Sequence, residues 1–374
     1  MLRGGRVALS LALLLAPLTA AGCAASRGVP ASRVLRGDID DLDPASLALA
    51  AERSAAALAK MPDSRSFEVG GSRVSPGELA ASAGHVASLA RSARDATSLT
   101  ASLAKDCVAV RSGDDAKVTA YYEPQLVARP APDRRFHYPL YRLPSDAQME
   151  ELRRRLGRTP TRADIDERGV LAGMGLEIAW VDDPVARFFL HVQGSGRLDF
   201  GGGRFVRVGF AGTNGLAYRS AGALMLGRGL LERGGAGAPA MREWLTSHPE
   251  RRDALLAENA RYVFFRDTAS DGPVGALGTK LVAGRSIAVD ERHVPRGVLA
   301  WLRTTRPIPG PTGRACSRTP LTRFVFAQDA GAAIEGPARV DLFAGSGEEA
   351  GYEAGLMNEG GELYLLLCGP ARRR

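Results

Sequence analysis

Histidine and cysteine, the residues that most often bind transition metals, are scarce in this sequence. It has five histidines and four cysteines among 374 residues. The histidines are scattered, at positions 85, 137, 191, 248 and 293, and neither residue type recurs at the spacing of a metal site. We therefore expect no bound metal and no other cofactor.

Motifs that mark several large protein classes are also missing. There is no G-x-S-x-G elbow of a serine hydrolase, and no Lys-Ser/Thr pair follows a glycine-rich turn as in a phosphate-binding loop. No zinc-finger, basic-zipper or RNP-like motif occurs. Lysine supplies only four of the 49 basic residues, yet the net charge is +8. This charge favours an acidic partner. An anionic cell-wall polymer fits it as well as nucleic acid does, and we expect no nucleic-acid partner.

The N-terminus has the features of an export signal. Arg3 and Arg6 precede an apolar run, Val7 to Leu18, that is too short to span a bilayer. The following Ala-Ala-Gly-Cys resembles a lipoprotein processing box that ends at Cys23. We expect residues 1–23 to be a lipoprotein signal peptide, Cys23 to carry the lipid anchor, and residues 24–43 to be a tether. An ordinary signal peptide with a chance cysteine is the alternative.

Two aspartates near the C-terminus are the strongest catalytic candidates. An apolar run that begins at Phe324 reads as a strand ending at Asp329. A second strand, from Val340 to Phe343, alternates so that Asp341 faces away from its apolar neighbours. If both carboxyls reach one cleft, they suit glycosidic-bond chemistry, in which a carboxyl must protonate the leaving oxygen. The alternative is that both aspartates cap backbone amides in turns.

The remaining pattern predicts a mainly β protein with peripheral helices. Capping residues open helices at Asp43, Ser75 and Ser145, the second of them running to about Lys105. Further helices are predicted over 218–232 and 240–259, the latter broken near 248–249. The strands are predicted over 117–129, 175–184, 186–196, 204–215 and 262–266.

Several polar residues at strand ends could face a ligand. Glycine-containing turns at 193–196 and 212–215 allow the backbone to approach a ligand closely, although plain hairpin turns would look the same. Tyr121 and Tyr122 could stack on a sugar ring or belong to the core, and Glu123 is a third candidate acid. Asp290 is assigned to a turn.

The cysteines beyond the N-terminus allow one disulfide. They are Cys107, Cys316 and Cys368, and an exported protein would meet oxidising conditions. We favour Cys316 with Cys368, because both flank the C-terminal strands, although spacing cannot establish the pair.

The segment FVFAQDAGAAIEGPARVDLFAGSGEEAGYEAGLM, residues 324–357, resembles the C-terminal signature of the membrane-bound lytic murein transglycosylase A family. Both aspartates and the DLF-x-G-x-G-x-x-AG frame are present. Ala330, Ala332 and Glu335 differ from the Thr, Gly and Lys that are usual there. Further blocks follow the family in order, from about Val118 onward: YYEP, VQGSG, AGTNG, YRS, VFF, PVGALG and SIAVD.

The resemblance implies a double-psi β-barrel with an inserted second β-rich domain and a groove between them. On this map residues 44–125 and 260–368 form the barrel domain with its N-terminal helices, and residues 126–259 form the insert. The groove would be lined by Tyr121, Tyr122, Glu123, Gln193, Gly194, Ser195, Gly196, Asn214, Tyr218 and Ser220.

The resemblance also implies an activity. Such enzymes cleave the β-1,4 bond between N-acetylmuramic acid and N-acetylglucosamine without water, and leave a 1,6-anhydromuramyl end. Asp341 would act as general acid and then as base, with Asp329 in support. We expect peptidoglycan glycan strands as the partner, a monomer, and a lipid-anchored location on the periplasmic face of the outer membrane. A two-carboxylate β-barrel glycoside hydrolase and a non-catalytic cell-wall-binding lipoprotein are the alternatives.

Overall fold

The computed structural model describes residues 28–62, 64–231, 238–269, 272–310, 315–331 and 333–369. The predicted signal peptide with Cys23, and Ala332 of the C-terminal signature, lie outside these ranges. The strands are β1 Val29–Pro30, β2 Phe67–Val69, β3 Ser72–Val74, β4 Cys107–Arg111, β5 Ala116–Glu123, β6 Gln125–Arg129, β7 Tyr138–Tyr141, β8 Glu177–Val181, β9 Ser195–Asp199, β10 Phe205–Thr213, β11 Val263–Thr268, β12 Ser286–Val289, β13 Leu299–Pro309, β14 Ala315–Ala330, β15 Arg339–Ser346 and β16 Asn358–Cys368.

Eleven helices are found in the described ranges: α1 Ala31–Leu35, α2 Pro44–Leu58, α3 Pro76–Ser92, α4 Ala96–Asp106, α5 Asp146–Leu156, α6 Arg162–Asp166, α7 Pro184–Gln193, α8 Ala221–Gly227, α9 Ala238–Ser247, α10 Pro249–Ala257 and α11 Glu348–Leu356. The predicted caps at Asp43, Ser75 and Ser145 each accept a hydrogen bond from a first-turn amide. Within the same ranges, none of the helices has the length and apolar character needed to cross a bilayer.

Six strands close into a barrel. Their order is β5, β16, β13, β14, β12 and β15, and β15 pairs with β5 again. Two of the pairings, β12 with β14 and β15 with β5, are parallel, and the others are antiparallel. The predicted mainly β class with a double-psi barrel is thus confirmed. Alternate residues of these strands, such as Val118, Val325 and Leu342, fill the interior.

A second sheet of six strands, in the order β11, β10, β9, β6, β8 and β7, is inserted between barrel strands β5 and β12. The chain passes from the barrel to this sheet at Pro124, where the strand predicted over 117–129 divides into β5 and β6. Strand β11 pairs with β10. The sheet therefore extends to Thr268, beyond the predicted boundary of the insert at Asn259.

Helices α1 to α4 cover one side of the barrel. Trp301, Phe324 and Phe326 point outward from β13 and β14 and are fully buried beneath these helices. Burial of an aromatic or aliphatic side chain of this size stabilises the fold by about 2–3 kcal/mol. The second predicted helix is two helices, because the chain leaves helical geometry at Ala93 and Asp95 caps α4 anew.

The residues after 27 pack on the barrel, which differs from the predicted tether. Strand β1 pairs with β4, and Asp40 is 3% exposed. Its carboxylate pairs with the fully buried Arg285 at 2.6 Å and accepts the amide of Phe324 at 3.0 Å. The part of residues 24–43 that the structure describes, from Gly28 on, is therefore fixed to the barrel.

The disulfide joins Cys107 to Cys368, so the favoured pairing of Cys316 with Cys368 is wrong. Cys107 and Cys368 are direct neighbours in the antiparallel pair β4–β16. Cys316 is exposed, at the start of β14. The bridge forms between residues 261 positions apart because the two ends of the barrel domain meet in one sheet.

Two predicted elements of the insert have another form. The run predicted as a strand over 186–196 is helix α7 followed by β9, since Asp183 caps Val185 and Ala186, and Gly194 ends the helix in the left-handed conformation. The helix predicted over 218–232 is shorter, because Ser220 is the N-cap of α8.

Candidate active site

A cleft of about 940 Å³ lies between the barrel and the second sheet. One wall is formed by the ends of β5, β12, β14 and β15, and the other by β10, β11 and the end of α7. The acidic residues lining it are Glu123, Asp290, Glu291, Asp329, Glu335 and Asp341. The cleft is thus bounded by both sheets, as the resemblance implied.

Strand β12 brings the two candidate aspartates together. Its residue Ala288 pairs with Asp329 on β14 and with Asp341 on β15. Asp341 pairs in turn with Thr119 on β5. A register shift lies at Gln328, one residue before Asp329, and such bulges re-aim side chains beside functional sites. Asp329 and Asp341 therefore face the cleft from the two strands that flank β12, two strand spacings or about 10 Å apart across the sheet.

The carboxyl of Asp341 has few hydrogen-bond donors. Within the described ranges, the hydroxyl of Thr119 is the one group that donates to it. Burial raises the pKa of Asp341 above its ordinary value, and the nearby Asp329 carboxylate acts in the same direction. The Thr119 hydroxyl and the positive charge of Arg339 oppose this rise in pKa. A carboxyl in this environment can hold a proton at higher pH than usual.

Asp329 is held more firmly. Its carboxylate accepts the hydroxyl of Tyr121 at 2.7 Å, the amide of Ala276 at 2.8 Å and the amide of Ala330 at 2.9 Å. Burial raises the pKa of Asp329, whereas these three donors lower it. Burial and the Asp329 charge raise the pKa of the Tyr121 hydroxyl well above its usual value, so that this hydroxyl keeps its proton. Asp329 is thus arranged as a fixed acceptor.

Two other acids of the cleft are engaged by arginines. Glu123 is 2% exposed, pairs with Arg207 at 3.0 Å and accepts the hydroxyl of Ser346. Asp290 pairs with Arg292 at 2.7 Å, and this arginine holds the pKa of Asp290 far below its usual range. Asp290 also accepts the amide of Gly336, which agrees with the turn role assigned from the sequence.

Six of the predicted groove residues line the cleft: Tyr121, Glu123, Gln193, Gly194, Ser195 and Tyr218. Tyr218 as a whole residue is 39% exposed, while burial raises the pKa of its hydroxyl. Gln193 accepts the backbone amide of Tyr122 through its side-chain oxygen at 3.3 Å, which ties the end of α7 to β5.

The other four predicted groove residues contact the protein interior. The amide of Asn214 donates to the carbonyls of Pro160 and Ala260, and Asn214 is 2% exposed. Ser220 caps α8. A Cβ atom on Gly196 would lie 3.0 Å from the Pro124 carbonyl oxygen. The ring of Tyr122 packs so closely on Gly351 that a Cβ atom on this glycine would clash with it. Gly196 and Tyr122 are therefore positions of close packing.

Sequence reasoning missed Thr119, Phe210 and Arg339, all of which line the cleft. Thr119 was predictable, because it shares a face of β5 with Tyr121 by the period of two. Phe210 was not, because it shares a face of β10 with the buried Val208, yet it lies beyond the last residue paired with β9 and is 50% exposed. Among the described residues, no three His, Cys, Asp or Glu side chains are placed to hold a metal ion.

Comparison with known proteins identifies the family. The MltA specific insert domain matches residues 117–266 and the 3D domain matches residues 285–367. The membrane-bound lytic murein transglycosylase A of Escherichia coli (strain K12) is 34% identical over 254 residues, 67% of this chain and 66% of that protein. The match thus spans just under two thirds of that relative.

Solved structures agree. The membrane-bound lytic murein transglycosylase from Agrobacterium tumefaciens is 31% identical, with a TM-score of 0.72 over 89% of this chain and 96% of that one. This chain belongs to the MltA family. The E. coli MltA structure with bound chitohexaose is 28% identical, with a TM-score of 0.66 over 79% of this chain and 84% of that one. The relatives named here are lytic murein transglycosylases, and the family resemblance drawn from the sequence is confirmed.

Two of the three departures from the usual MltA signature lie at the cleft. Ala330 and Glu335 line it, and Glu335 is exposed. Neither contacts the Asp341 carboxyl through a hydrogen bond in the described part of the chain. Ala330 donates only its backbone amide to Asp329, so both departures leave the row formed by Asp329, Ala288, Asp341 and Thr119 intact.

Proposed function

We propose that this MltA-family chain is a peptidoglycan lytic exotransglycosylase in which Asp341 is the general acid and base. The observation that carries this proposal is the environment of Asp341. It faces the cleft, its pKa is raised by burial, and Thr119 is its one hydrogen-bond donor among the described residues. Such a carboxyl can give up and recover a proton during the reaction.

The reaction needs one such group. Protonated Asp341 donates its proton to the glycosidic oxygen, and the bond from C1 of N-acetylmuramic acid to this oxygen breaks. The 6-hydroxyl of the same muramyl residue bonds to C1, and its proton returns to the Asp341 carboxylate. The products are a free 4-hydroxyl on N-acetylglucosamine and a 1,6-anhydromuramyl end. No water is consumed, and Asp341 ends in its starting form.

The hydrogen bonding of Asp329 favours this mechanism over a two-carboxylate hydrolase. A nucleophile or base must have a lone pair directed at the reacting atom. Three donors surround the Asp329 carboxylate. This environment suits the carboxylate to stabilise positive charge that develops on the sugar and to adjust the pKa of Asp341. Glu123 and Asp290 are paired with arginines and are poorer candidates for proton transfer.

The residues that line the cleft suit it to bind glycan strands. The exposed residues Phe210 and Tyr218 offer apolar ring faces for sugar rings, while Gln193 and Ser195 supply polar groups. The E. coli relative was solved with chitohexaose. We propose that glycan strands of peptidoglycan occupy the same groove here, on a monomer.

Asp341→Asn tests the proposal, because Asn keeps the shape of the side chain and cannot transfer the proton. Release of muropeptides from purified sacculi should fall by at least ~10²-fold, while glycan binding is retained. Asp329→Asn should lose less activity, since Asp329 supports Asp341 and does not itself transfer the proton.

Mass analysis of the wild-type digest separates the alternatives. Each released muropeptide should be lighter by one water than its hydrolysis counterpart. Reducing ends would replace this mechanism with the two-carboxylate hydrolase. Binding of sacculi without any cleavage would identify a cell-wall-binding lipoprotein instead.

We further propose that Cys23 anchors the mature chain by a lipid to the periplasmic face of the outer membrane. The short apolar segment that ends at Ala-Gly-Cys supports this, as do relatives named membrane-bound. The protein should incorporate a palmitate analogue during growth and fractionate with outer membranes. A Cys23→Ala protein that still labels would contradict the anchor.

A further inference from the structure

We propose that Arg261 and Arg266, on the second-sheet wall of the cleft, bind carboxylates of the substituents on muramyl residues. The inference rests on the proposed function for its substrate. The two arginines would add a binding site for negative charge to a groove that otherwise binds neutral sugar rings.

Charge on this wall is only partly balanced. Four arginines on the insert side line the cleft: Arg162, Arg207, Arg261 and Arg266. Arg162 pairs with Asp166 at 3.4 Å, and Arg207 pairs with Glu123 at 3.0 Å. Across the described ranges, the guanidinium groups of Arg261 and Arg266 have neither an ion pair nor a hydrogen bond. These two cations are therefore available to an anionic ligand.

The surroundings of Arg266 leave room for a ligand. Arg266 is exposed on β11, and its partner across the pair with β10 is Gly209. A Cβ atom built on Gly209 would meet nothing within 4 Å. The acid next in the chain, Asp267, pairs with Arg142 and leaves Arg266 uncompensated. The space above Gly209 thus adjoins an unpaired guanidinium.

Arg261 is placed by a buried neighbour. Its backbone carbonyl accepts a guanidinium N–H of Arg162 at 2.9 Å, and Arg162 is 3% exposed. This bond fixes the chain just before β11, where Arg261 lines the cleft. A fixed backbone lowers the entropy that the side chain loses on binding.

The opposite wall is richer in acids. Asp290, Glu291 and Glu335 on the barrel side line the cleft together with Arg292 and Arg339, and of these three acids only Glu335 has no arginine partner among the described residues. Carboxylates on a muramyl residue would be repelled there and attracted to the insert side. The charge difference therefore sets which side of a bound strand carries the substituent.

Two sources of carboxylate exist in peptidoglycan. When a stem peptide is attached, the lactyl carboxyl of the muramyl residue is an amide and the negative charges are on the peptide. When the peptide is removed, the lactyl carboxylate itself is free. Three ligands distinguish the cases: peptide-bearing glycan strands, strands stripped of peptide by an amidase, and neutral chitohexaose.

Binding of these ligands should be measured with Arg261→Gln and Arg266→Gln, each in an Asp341→Asn background that limits cleavage. Each change should weaken binding of one or both anionic ligands about fivefold to tenfold and leave chitohexaose binding unchanged. Loss with peptide-bearing strands alone assigns the stem peptide, and loss with stripped strands alone assigns the lactyl group. Arg204→Gln, an exposed change of the same charge outside the cleft, should affect none of the ligands.

Equal losses for all three ligands, or no loss for any, would overturn the proposal. Thermal unfolding of each variant checks that the fold is kept. Because binding is read without turnover, this outcome does not depend on the reaction. A protein that makes no anhydro ends could still show carboxylate-dependent binding, and an active enzyme could lack it.

Discussion

At the scale of single residues, the proposed mechanism gives the two aspartates different roles, with Asp341 transferring the proton and Asp329 held in place by its three donors. Arg339 gives a way to test this, since its positive charge lowers the pKa of Asp341. Asp341 must be protonated to start the reaction, so activity should fall as pH rises through its pKa. Removing the charge with Arg339→Gln raises that pKa. The basic limb of the pH–rate profile should therefore move to higher pH.

Arg339→Lys is the matched control, because it keeps the charge and should leave the limb in place. The rates are measured on sacculi across the pH range at low substrate. A limb that stays fixed in Arg339→Gln, or moves to lower pH, would show that another group supplies the proton.

The same raised pKa predicts a stability cost. The folded state raises the pKa of Asp341 above its unfolded value, so the ionised carboxyl destabilises the fold at neutral pH. Asp341→Asn should therefore melt at a higher temperature than the wild type at pH 7. Its advantage should shrink as pH falls through the folded pKa and vanish below about 3.9, the unfolded value. Calorimetry that shows a less stable variant at pH 7 would contradict burial as the dominant influence.

The residues that the sequence placed well are those that depend on strand alternation. Alternation predicted that the side chain of Asp341 points away from the side on which Val340 and Leu342 are buried in the barrel. It could not distinguish an amide side chain that lines the groove from one that holds the protein interior together. Asn214 has the small, polar, glycine-flanked setting of a ligand contact, yet it joins two loops through their carbonyls.

At the scale of elements, helix α7 shows where the apolar pattern failed. Its run of Phe188, Phe189 and Leu190 is equally compatible with a buried strand, because all three are buried in the structure. The signal that decides is at the ends, an Asp-Pro start and a Gly194 end.

The attachment of the N-terminal segment to the barrel predicts a large effect of Asp40. Its fully buried partner Arg285 would lose its counter-charge in Asp40→Asn. Breaking one side of a buried pair typically costs about 3–5 kcal/mol. We expect the free energy of unfolding in urea to fall by about 3 kcal/mol.

Asp38→Asn provides the control, because Asp38 and Arg303 are each about one-third exposed. Its cost should be about 1 kcal/mol or less. If the two variants lose equal stability, the segment from Gly28 is no more than a surface attachment.

At the scale of the whole molecule, the barrel joins chain segments that the second sheet separates. Local patterns predict strands, but which strands pair depends on packing over the entire chain, and the family resemblance alone pointed to the barrel. The disulfide shows this limit, since Cys107 and Cys368 are adjacent only because β4 extends the barrel beside β16.

The bridge should contribute strongly to stability, because it closes a loop between residues 261 positions apart. Long loops lose much conformational entropy when they are closed in the unfolded chain, and native disulfides typically contribute about 2–4 kcal/mol. Replacing Cys107 and Cys368 together by alanine should lower the free energy of unfolding by about 3 kcal/mol. Replacing Cys316 by serine should change it little, since this exposed residue is outside the bridge. Added reductant should reproduce the loss in the wild type and have no effect on the double variant. A wild type that unfolds identically with and without reductant would show that the bridge does not form in solution.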